Sequence, residues 1–242
     1  MSTPDTAPDV APVIELPPPQ ESGVVRISAR TAFILLLFTL AFTALMAGVY
    51  QLTKPVLDAT ALDAKRRTIA EVLPADTYDN DMLADAITLP ALPALGLPEP
   101  TRLYRARKAG EPAALVFETA ASDGYSGEVR LIVAVRADGR LEAVRVTAHK
   151  ETPGLGDYID PKKDKNKAKP WISQFNQIGF TEVPQEKWRV KKDGGVFDQR
   201  TGATISARAV TKAAGRGLAW ANDRATALYA LPAAARYEEK SP

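Results

Sequence analysis

Two short segments of the sequence combine residue types that suit ligand binding. The first covers residues 149–157, HKETPGLGD, in which one proline and two glycines fall within four residues. This composition predicts a tight loop whose backbone can approach a ligand closely. The Leu155 side chain could lie on a flat ring, and the Glu151 carboxylate could accept hydrogen bonds from ring nitrogens. An ordinary turn with a solvated Glu151 has the same composition. The candidate site residues of this segment are Glu151, Thr152, Gly154, Leu155 and Gly156.

The second segment covers residues 194–206, GGVFDQRTGATIS, and leads into a helical pattern. Either Thr201 or Thr204 stands where the N-cap of that helix is expected, and Gly202 and Ala203 keep the surface small. Free N–H groups and the dipole at a helix start favour a phosphate. A plain capped helix without a ligand fits the same residues, so both interpretations remain open.

The surrounding residues predict the elements that must position these segments. A strand is predicted from Ala113. Before Asp138-Gly139, Val129, Leu131, Val133 and Val135 occupy every second position, and Leu141, Val144 and Val146 continue the apolar pattern between charges after it. Two alternating runs joined by Asp-Gly are a strong hairpin signal. A helix over 171–177, a short strand over 187–191 and a long helix over 205–222 follow. The prediction is an α+β domain with an antiparallel sheet and a C-terminal helix.

Residues 31–53 contain no charged side chain. At about 1.5 Å per residue this helix would be roughly 35 Å long, enough to cross a hydrocarbon core of about 30 Å. A buried core helix or a cleaved signal peptide is the alternative, but the apolar run is long for either. Arg26 and Arg30 precede it, and four basic residues follow it between 54 and 67. This charge count does not decide the orientation, because long domains cross membranes regardless of charge.

The sequence therefore predicts five regions. Residues 1–26 form a disordered tail, rich in proline, which the family resemblance described below would place in the cytoplasm, and residues 27–53 form the transmembrane helix. Residues 54–119 comprise a juxtamembrane helix and an irregular wrapping segment. The helix begins near Pro55 and ends at Pro74, with Leu62, Ile69 and Leu73 on one stripe. Residues 120–222 form the core of the binding domain, and residues 223–242 a C-terminal tail.

Composition excludes several kinds of site. The formal net charge is only +2, so no basic field indicates a nucleic-acid partner. There is no cysteine and one histidine, His149, which excludes disulfides, thiolate metal ligands, a thiol nucleophile and a histidine-rich metal site. No metal ligands and no independent catalytic residues are predicted.

The second segment resembles a known motif. Asp198-x-x-Thr201-Gly202-Ala203-Thr204 matches the flavinylation motif of FMN-binding domains, Asp-x-x-(Ser/Thr)-Gly-Ala-Thr, at every defined position. In that family a Mg²⁺-dependent flavin transferase joins the FMN phosphate to the last threonine through a phosphoester. The resemblance implies covalent FMN at Thr204, with Thr201 shaping the turn, Gly202 and Ala203 leaving room, and Asp198 helping the transferase recognise the site or hold its metal.

The rest of the chain extends this resemblance. The Glu-Thr-Pro-Gly-Leu-Gly run is similar to the family's loop beside the isoalloxazine ring, and GYSGEVRLIVAV to its first core strand. With one N-terminal membrane helix, the chain resembles the G subunits of Rnf/Rsx-type ion-translocating electron-transport complexes. The Lys-rich residues 161–169 look like an insertion beside the usual pattern, and a solvated loop is predicted there.

The resemblance implies a role. The chain would carry one FMN on the periplasmic face of a bacterial inner membrane and pass electrons within a ferredoxin- and NAD-linked complex that moves ions. Its partners would be the other subunits, membrane lipid and, during maturation, the transferase. Two alternatives remain: the C-type subunits of the Na⁺-translocating NADH:quinone reductases, and a membrane-anchored binding domain without flavin.

Overall fold

The computed structural model describes residues 21–239, and it opens with one long helix. Helix α1 spans Glu21–Ala70, 50 residues, with Pro55 inside it. The juxtamembrane helix predicted to begin near Pro55 is therefore continuous with the membrane helix. Pro55 has no N–H, so the helix lacks one hydrogen bond there. Close to it, the Thr53 hydroxyl donates to the carbonyl oxygens of Val49 (2.9 Å) and Tyr50 (3.3 Å). Residues 21–26, predicted to be disordered, also lie in α1, whereas residues 1–20 lie outside the described part.

Part of α1 has the properties of a membrane span. It is the one helix in residues 21–239 that is long and apolar enough to cross a membrane, and its most apolar window is not buried at all. The structure divides into two compact units at Thr60 and Ala61, and this apolar window belongs to the first. An apolar helix without protein cover is what a bilayer requires.

The second unit is built on one antiparallel sheet. Six strands follow each other in chain order and each pairs with the next. Their bounds are β1 Ala86–Leu89, β2 Thr101–Lys108, β3 Glu111–Gly124, β4 Gly127–Arg136, β5 Arg140–Ala148 and β6 Ile178–Gly179. The predicted hairpin across Asp138-Gly139 is confirmed as β4–β5. Strands β1 and β2 were not predicted: residues 75–100 show no sustained period, and β2 carries a buried arginine, Arg105, among its inward-facing residues.

Both faces of the sheet are covered. Helix α2, Thr204–Ala230, packs on one face, where Leu131 and Val133 of β4 point. Ile132 and Ala134 of β4 point to the other face, against residues just after α1. In β5 the register shifts between its pairs with Ala134 and Val135, so that Leu141 and Val144 share a face although three positions separate them.

The predicted strand over 187–191 is wrong. Trp188 and Val190 are buried and their neighbours exposed, as the alternation indicated, but the segment makes only an isolated bridge between Val190 and Phe197. The edge strand is β6, which pairs with Arg140 and Leu141. Alternation indicates which side chains are buried. It does not indicate whether another strand lies close enough to form backbone hydrogen bonds. The helix predicted over 171–177 is a 3₁₀ turn, Trp171–Phe175.

The C-terminal residues differ from the tail predicted for 223–242. Helix α2 continues to Ala230, and Tyr237 is buried against Trp220. The buried guanidinium of Arg105 donates to the carbonyl oxygens of Leu228 (3.0 Å) and Leu231. These hydrogen bonds hold the C-terminal end of α2 in place. The sequence does not show that the Arg105 side chain points into the protein.

Alanine substitutions at two glycines of α2 are expected to change the stability in opposite directions. A Cβ at Gly215 would overlap Cδ1 of the buried Trp188 ring, whereas a Cβ at Gly217 would lie 3.6 Å from Val133, an ordinary contact. Gly217→Ala should therefore raise the free energy of unfolding by about 0.5–1 kcal/mol, the usual helical gain. Gly215→Ala should lower it by about 1–3 kcal/mol through overpacking. Urea unfolding in detergent, followed by tryptophan fluorescence, measures both, and equal effects would contradict the packing described.

Candidate functional site

The two segments singled out in the sequence meet around one cavity. Its volume is about 250 Å³, and it lies where the loop after β5 reaches the start of α2. Six of the ten predicted site residues line it, together with three others. The predicted ones are Glu151, Thr152, Leu155, Gly156, Gly202 and Ala203; the others are Tyr125, Ile205 and Ser206. Thr204 stands between two lining residues, and Asp198, Thr201 and Gly154 lie outside the lining.

The buried Glu151 carboxylate holds the loop to the helix. Its Oε2 accepts a hydrogen bond from the Ser206 hydroxyl at 2.6 Å, and its Oε1 accepts one from the Ser126 N–H at 3.3 Å. A Cβ at Gly156 would lie 2.6 Å from Ser206 Oγ and 2.7 Å from Glu151 Oε2, so this contact needs glycine. Glu151 thus joins three chain segments, a role that the sequence did not indicate. Hydrogen bonding from a ring nitrogen to Glu151 stays a prediction.

Apolar side chains surround the mouth of the cavity. Tyr125, Leu155 and Ile205 are 68%, 57% and 42% exposed. Gly154 makes the turn before Leu155 with φ +77°, and its N–H donates to Asp157 Oδ1 at 2.9 Å. Exposed apolar groups beside a partly polar cavity can pack on a flat aromatic ring.

Helix α2 begins at Thr204 without a side-chain cap. Its N-cap is Ala203, and no described side chain makes a capping bond there. The predicted capping by Thr201 or Thr204 is therefore wrong. Gly202 has φ +85°, which places Thr201 in an exposed turn ahead of the helix rather than at its N-cap. The first N–H groups of a helix carry partial positive charge, which favours an anion.

Residues outside the motif hold its first residue, Asp198, through hydrogen bonds to the backbone. The Asp198 N–H donates to Gln174 Oε1, and its carbonyl accepts from Trp171 Nε1, both at 2.7 Å. The Asp198 carboxylate is itself exposed and pairs with Lys191 Nζ at 2.5 Å. Sequence reasoning missed these anchors, because nothing in the spacing of residues 171–174 relates them to position 198. Within residues 21–239 no cluster of His, Asp or Glu could hold a metal ion.

Tyr158 also forms a hydrogen bond with the motif. Its hydroxyl donates to the Ala203 carbonyl at 3.1 Å, one residue before Thr204. Burial raises the pKa of Tyr158, and a hydrogen bond from the Arg200 N–H and the nearby Arg200 charge lower it only in part. The hydroxyl therefore keeps its proton at neutral pH and remains a donor. An aromatic residue two positions after Gly156 is the only sequence signal for this role.

Comparison with known proteins identifies the family. The FMN-binding domain model matches residues 124–219, and the RnfG N-terminal region model matches residues 25–72. A protein from Pseudomonas aeruginosa (strain UCBPP-PA14), named as the G subunit of an ion-translocating oxidoreductase complex, is 40% identical over 218 residues, 90% of this chain and 100% of that protein. This chain belongs to the RnfG family.

Other members support the same assignment. Proteins of that name from Shewanella baltica (strain OS223) and Haemophilus influenzae (strain PittEE) are 38% and 39% identical. The matches cover 84% and 78% of this chain, and 93% and 87% of those proteins. The resemblance to the G subunits is confirmed and favoured over the C-type subunits of the quinone reductases, and the FMN-binding domain disfavours a flavin-free module. The matched domain contains both segments that line the cavity.

Two serines that contact Glu151 give a matched test of this contact. Ser206 uses its hydroxyl and Ser126 only its backbone N–H. Ser206→Ala should lower the free energy of unfolding by about 1–3 kcal/mol, because a buried carboxylate loses a donor. Ser126→Ala keeps its N–H and should change it by less than about 0.5 kcal/mol. Urea unfolding of both variants measures the difference; equal losses would show that the hydroxyl bond is unimportant.

Proposed function

We propose that this chain carries one FMN joined through its phosphate to the Thr204 side chain by a phosphoester. The observation that supports it is the position of Thr204, as the first residue of an uncapped helix and beside the cavity where both motif segments meet. A phosphate on Thr204 would lie at the N–H groups of the first turn of α2, where the helix dipole stabilises negative charge.

The cavity favours a tethered rather than a freely bound flavin. At about 250 Å³ it is below the roughly 300–1,000 Å³ typical of sites for drug-sized ligands. It suits one part of the ring system, with Leu155 against the ring and Thr152 and Gly156 beside it. A covalent link keeps the ligand at high local concentration, so that a small site is sufficient.

Attachment requires an activated flavin donor and the flavin transferase. The Thr204 Oγ–P bond would form while the anhydride bond of a flavin dinucleotide breaks. Adenosine monophosphate leaves, and the hydroxyl proton passes to the transferase or to water. Thr201, Gly202 and Ala203 keep the approach to Thr204 open, because Thr201 is exposed and a Cβ at Gly202 would meet no atom within 4 Å. Exposed Asp198 would help the transferase bind or hold its metal.

The bound flavin would supply one- and two-electron chemistry, and the protein would hold and orient it. The chain would work as an electron-transfer subunit of an ion-translocating oxidoreductase complex linked to ferredoxin and NAD, beside the other subunits. In electron transfer, as distinct from flavin attachment, no side chain of this chain needs to act as a nucleophile or general acid.

The membrane segment of α1 would anchor the chain in the bacterial inner membrane. Its large apolar side chains are exposed, Phe33, Leu35 and Phe42 by more than half of their surface, and would contact lipid. We place residues 1–26 in the cytoplasm and the domain after residue 54 in the periplasm, on the layout of the family that the chain resembles.

The attachment site is tested by substituting Thr204, which we expect to carry the flavin, and Thr201, which we expect not to carry it. Coexpressed with the transferase, wild type and Thr201→Ser should give in-gel flavin fluorescence, and Thr204→Ala should give none, because it lacks the accepting hydroxyl. Thr204→Ser should be labelled at least in part. Since Thr204 does not cap α2, Thr204→Ala should change the free energy of unfolding by less than about 0.5 kcal/mol.

Mass spectrometry of the tryptic peptide ending at Arg208 locates the flavin. FMN found on Thr201 or Ser206, or fluorescence retained in Thr204→Ala, would overturn the assignment to Thr204. A wild-type chain that is never labelled beside an active transferase would overturn the covalent flavin altogether.

The orientation is tested separately with reporter fusions after Pro242. A reporter that is active only in the periplasm should be active, and one that is active only in the cytoplasm should be silent. The opposite pattern would place the domain in the cytoplasm, whatever the flavin result.

A further inference from the structure

The Lys-rich segment at residues 161–169 contains one fully buried acid. Its lysines are exposed, as the predicted solvated loop requires, but Asp164 has no exposed surface. Its carboxylate accepts the N–H of Trp171 at 2.7 Å and that of Asn166 at 2.9 Å, and it pairs with the Arg200 guanidinium. The segment therefore reaches into the flavinylation motif, where Arg200 is the residue before Thr201.

Arg200 and Tyr158 connect this acid to the residue before Thr204. The Arg200 guanidinium lies 4.6 Å from the centre of the Tyr158 ring. The Tyr158 hydroxyl accepts the Arg200 N–H at 3.3 Å and donates to the Ala203 carbonyl at 3.1 Å. One hydroxyl thus binds both ends of the four-residue turn from Arg200 to Ala203, which the Ala203 N–H closes on the Arg200 carbonyl at 3.1 Å.

The charge of Asp164 is maintained in its buried position. Burial alone raises the pKa of this carboxyl, but the N–H groups of Trp171 and Asn166 and the Arg200 guanidinium outweigh it, so that the pKa lies below its ordinary value. Asp164 is therefore ionised at neutral pH. A buried ion pair is a poor source of stability compared with apolar packing, and its best-attested value is to specify one geometry.

We propose that Asp164 is a positioning residue for FMN attachment, and this inference rests on the proposed function. Through Arg200 and Tyr158 it holds the turn before Thr204 in the single shape that presents the hydroxyl to the transferase. In-line attack on phosphorus needs an aligned oxygen, and small misplacements lower rates by large factors. The Lys-rich segment is then part of the modification site through Asp164; its Lys162 forms an ion pair with Glu71 instead.

The test measures labelling rates and amide exchange on the full chain in detergent. Purified transferase, Mg²⁺ and flavin adenine dinucleotide are added to wild type, Asp164→Asn, Arg200→Gln and the double variant. Each single change should lower the labelling rate constant by roughly ten- to a hundredfold. The double variant should be no slower than the slower single one, because both changes remove the same interaction. Arg200→Lys should recover part of the rate by restoring charge.

Two control variants define the background. Lys165→Gln changes an exposed lysine of the same segment, and Arg140→Gln breaks an arginine pair with Glu182 (2.6 Å) outside the motif. Both should stay within about twofold of wild type. In the unlabelled chain, amide exchange at residues 200–204 should accelerate in Asp164→Asn and Arg200→Gln and not in the controls.

The outcomes separate positioning from simple loss of fold. A purely structural role would lower the final extent of labelling while the folded fraction reacts at the wild-type rate, and that result would overturn the proposal. Unchanged amide exchange at residues 200–204 would also overturn it. If either single variant does not fold, the double variant Asp164→Asn/Arg200→Gln decides, because it removes both charges and leaves no buried carboxylate without its partner. An unlabelled wild type would instead overturn the proposed function, and this inference with it.

Discussion

The site depends on one buried hydrogen bond, from the Ser206 hydroxyl to the Glu151 carboxylate. These residues are 55 positions apart, and their contact brings the loop after β5 to the first turn of α2. It forms only because Gly156 has no Cβ that would separate them. Since a buried carboxylate that loses its donor is costly, the contact gives the loop and the helix one relative position. Leu155 lies in this loop and Thr204 begins this helix, so the same contact holds both beside the cavity.

A rigid platform makes such a contact possible. The sheet is buried on both faces, and α2 carries small buried residues such as Ala207 and Ala214. At Gly217 the helix lies so close that an added Cβ would be 3.6 Å from Val133 of β4. The start of α2 remains open, with an alanine at its N-cap and a left-handed glycine just before it. The helix N–H groups at this start are therefore available for a phosphate, beside an apolar rim that suits a flat ring.

Much of this could be predicted from the sequence where the signal is local. The uncharged run at residues 31–53, the β4–β5 hairpin at Asp138-Gly139 and the threonine motif at 201–204 each occupy a few consecutive residues. Their outcomes depend on hydropathy, alternation and turn chemistry, which act over short distances. The predicted strand over 187–191 failed because strand formation needs a distant neighbour, and the predicted threonine cap failed because the Gly202 turn gives the N-cap position to Ala203.

The sequence by itself determined the membrane helix, the antiparallel hairpin, the kind of cofactor through its motif and which two segments form the site. Only the tertiary structure decided how the segments are joined. It gave Glu151 a hydroxyl partner, placed Tyr158 under Ala203 and buried Asp164 from a Lys-rich segment against Arg200. These are single contacts between residues 36 to 55 positions apart. The pattern of residue types along the sequence does not predict these contacts, because each depends on side-chain directions that are fixed only once the sheet and α2 have packed.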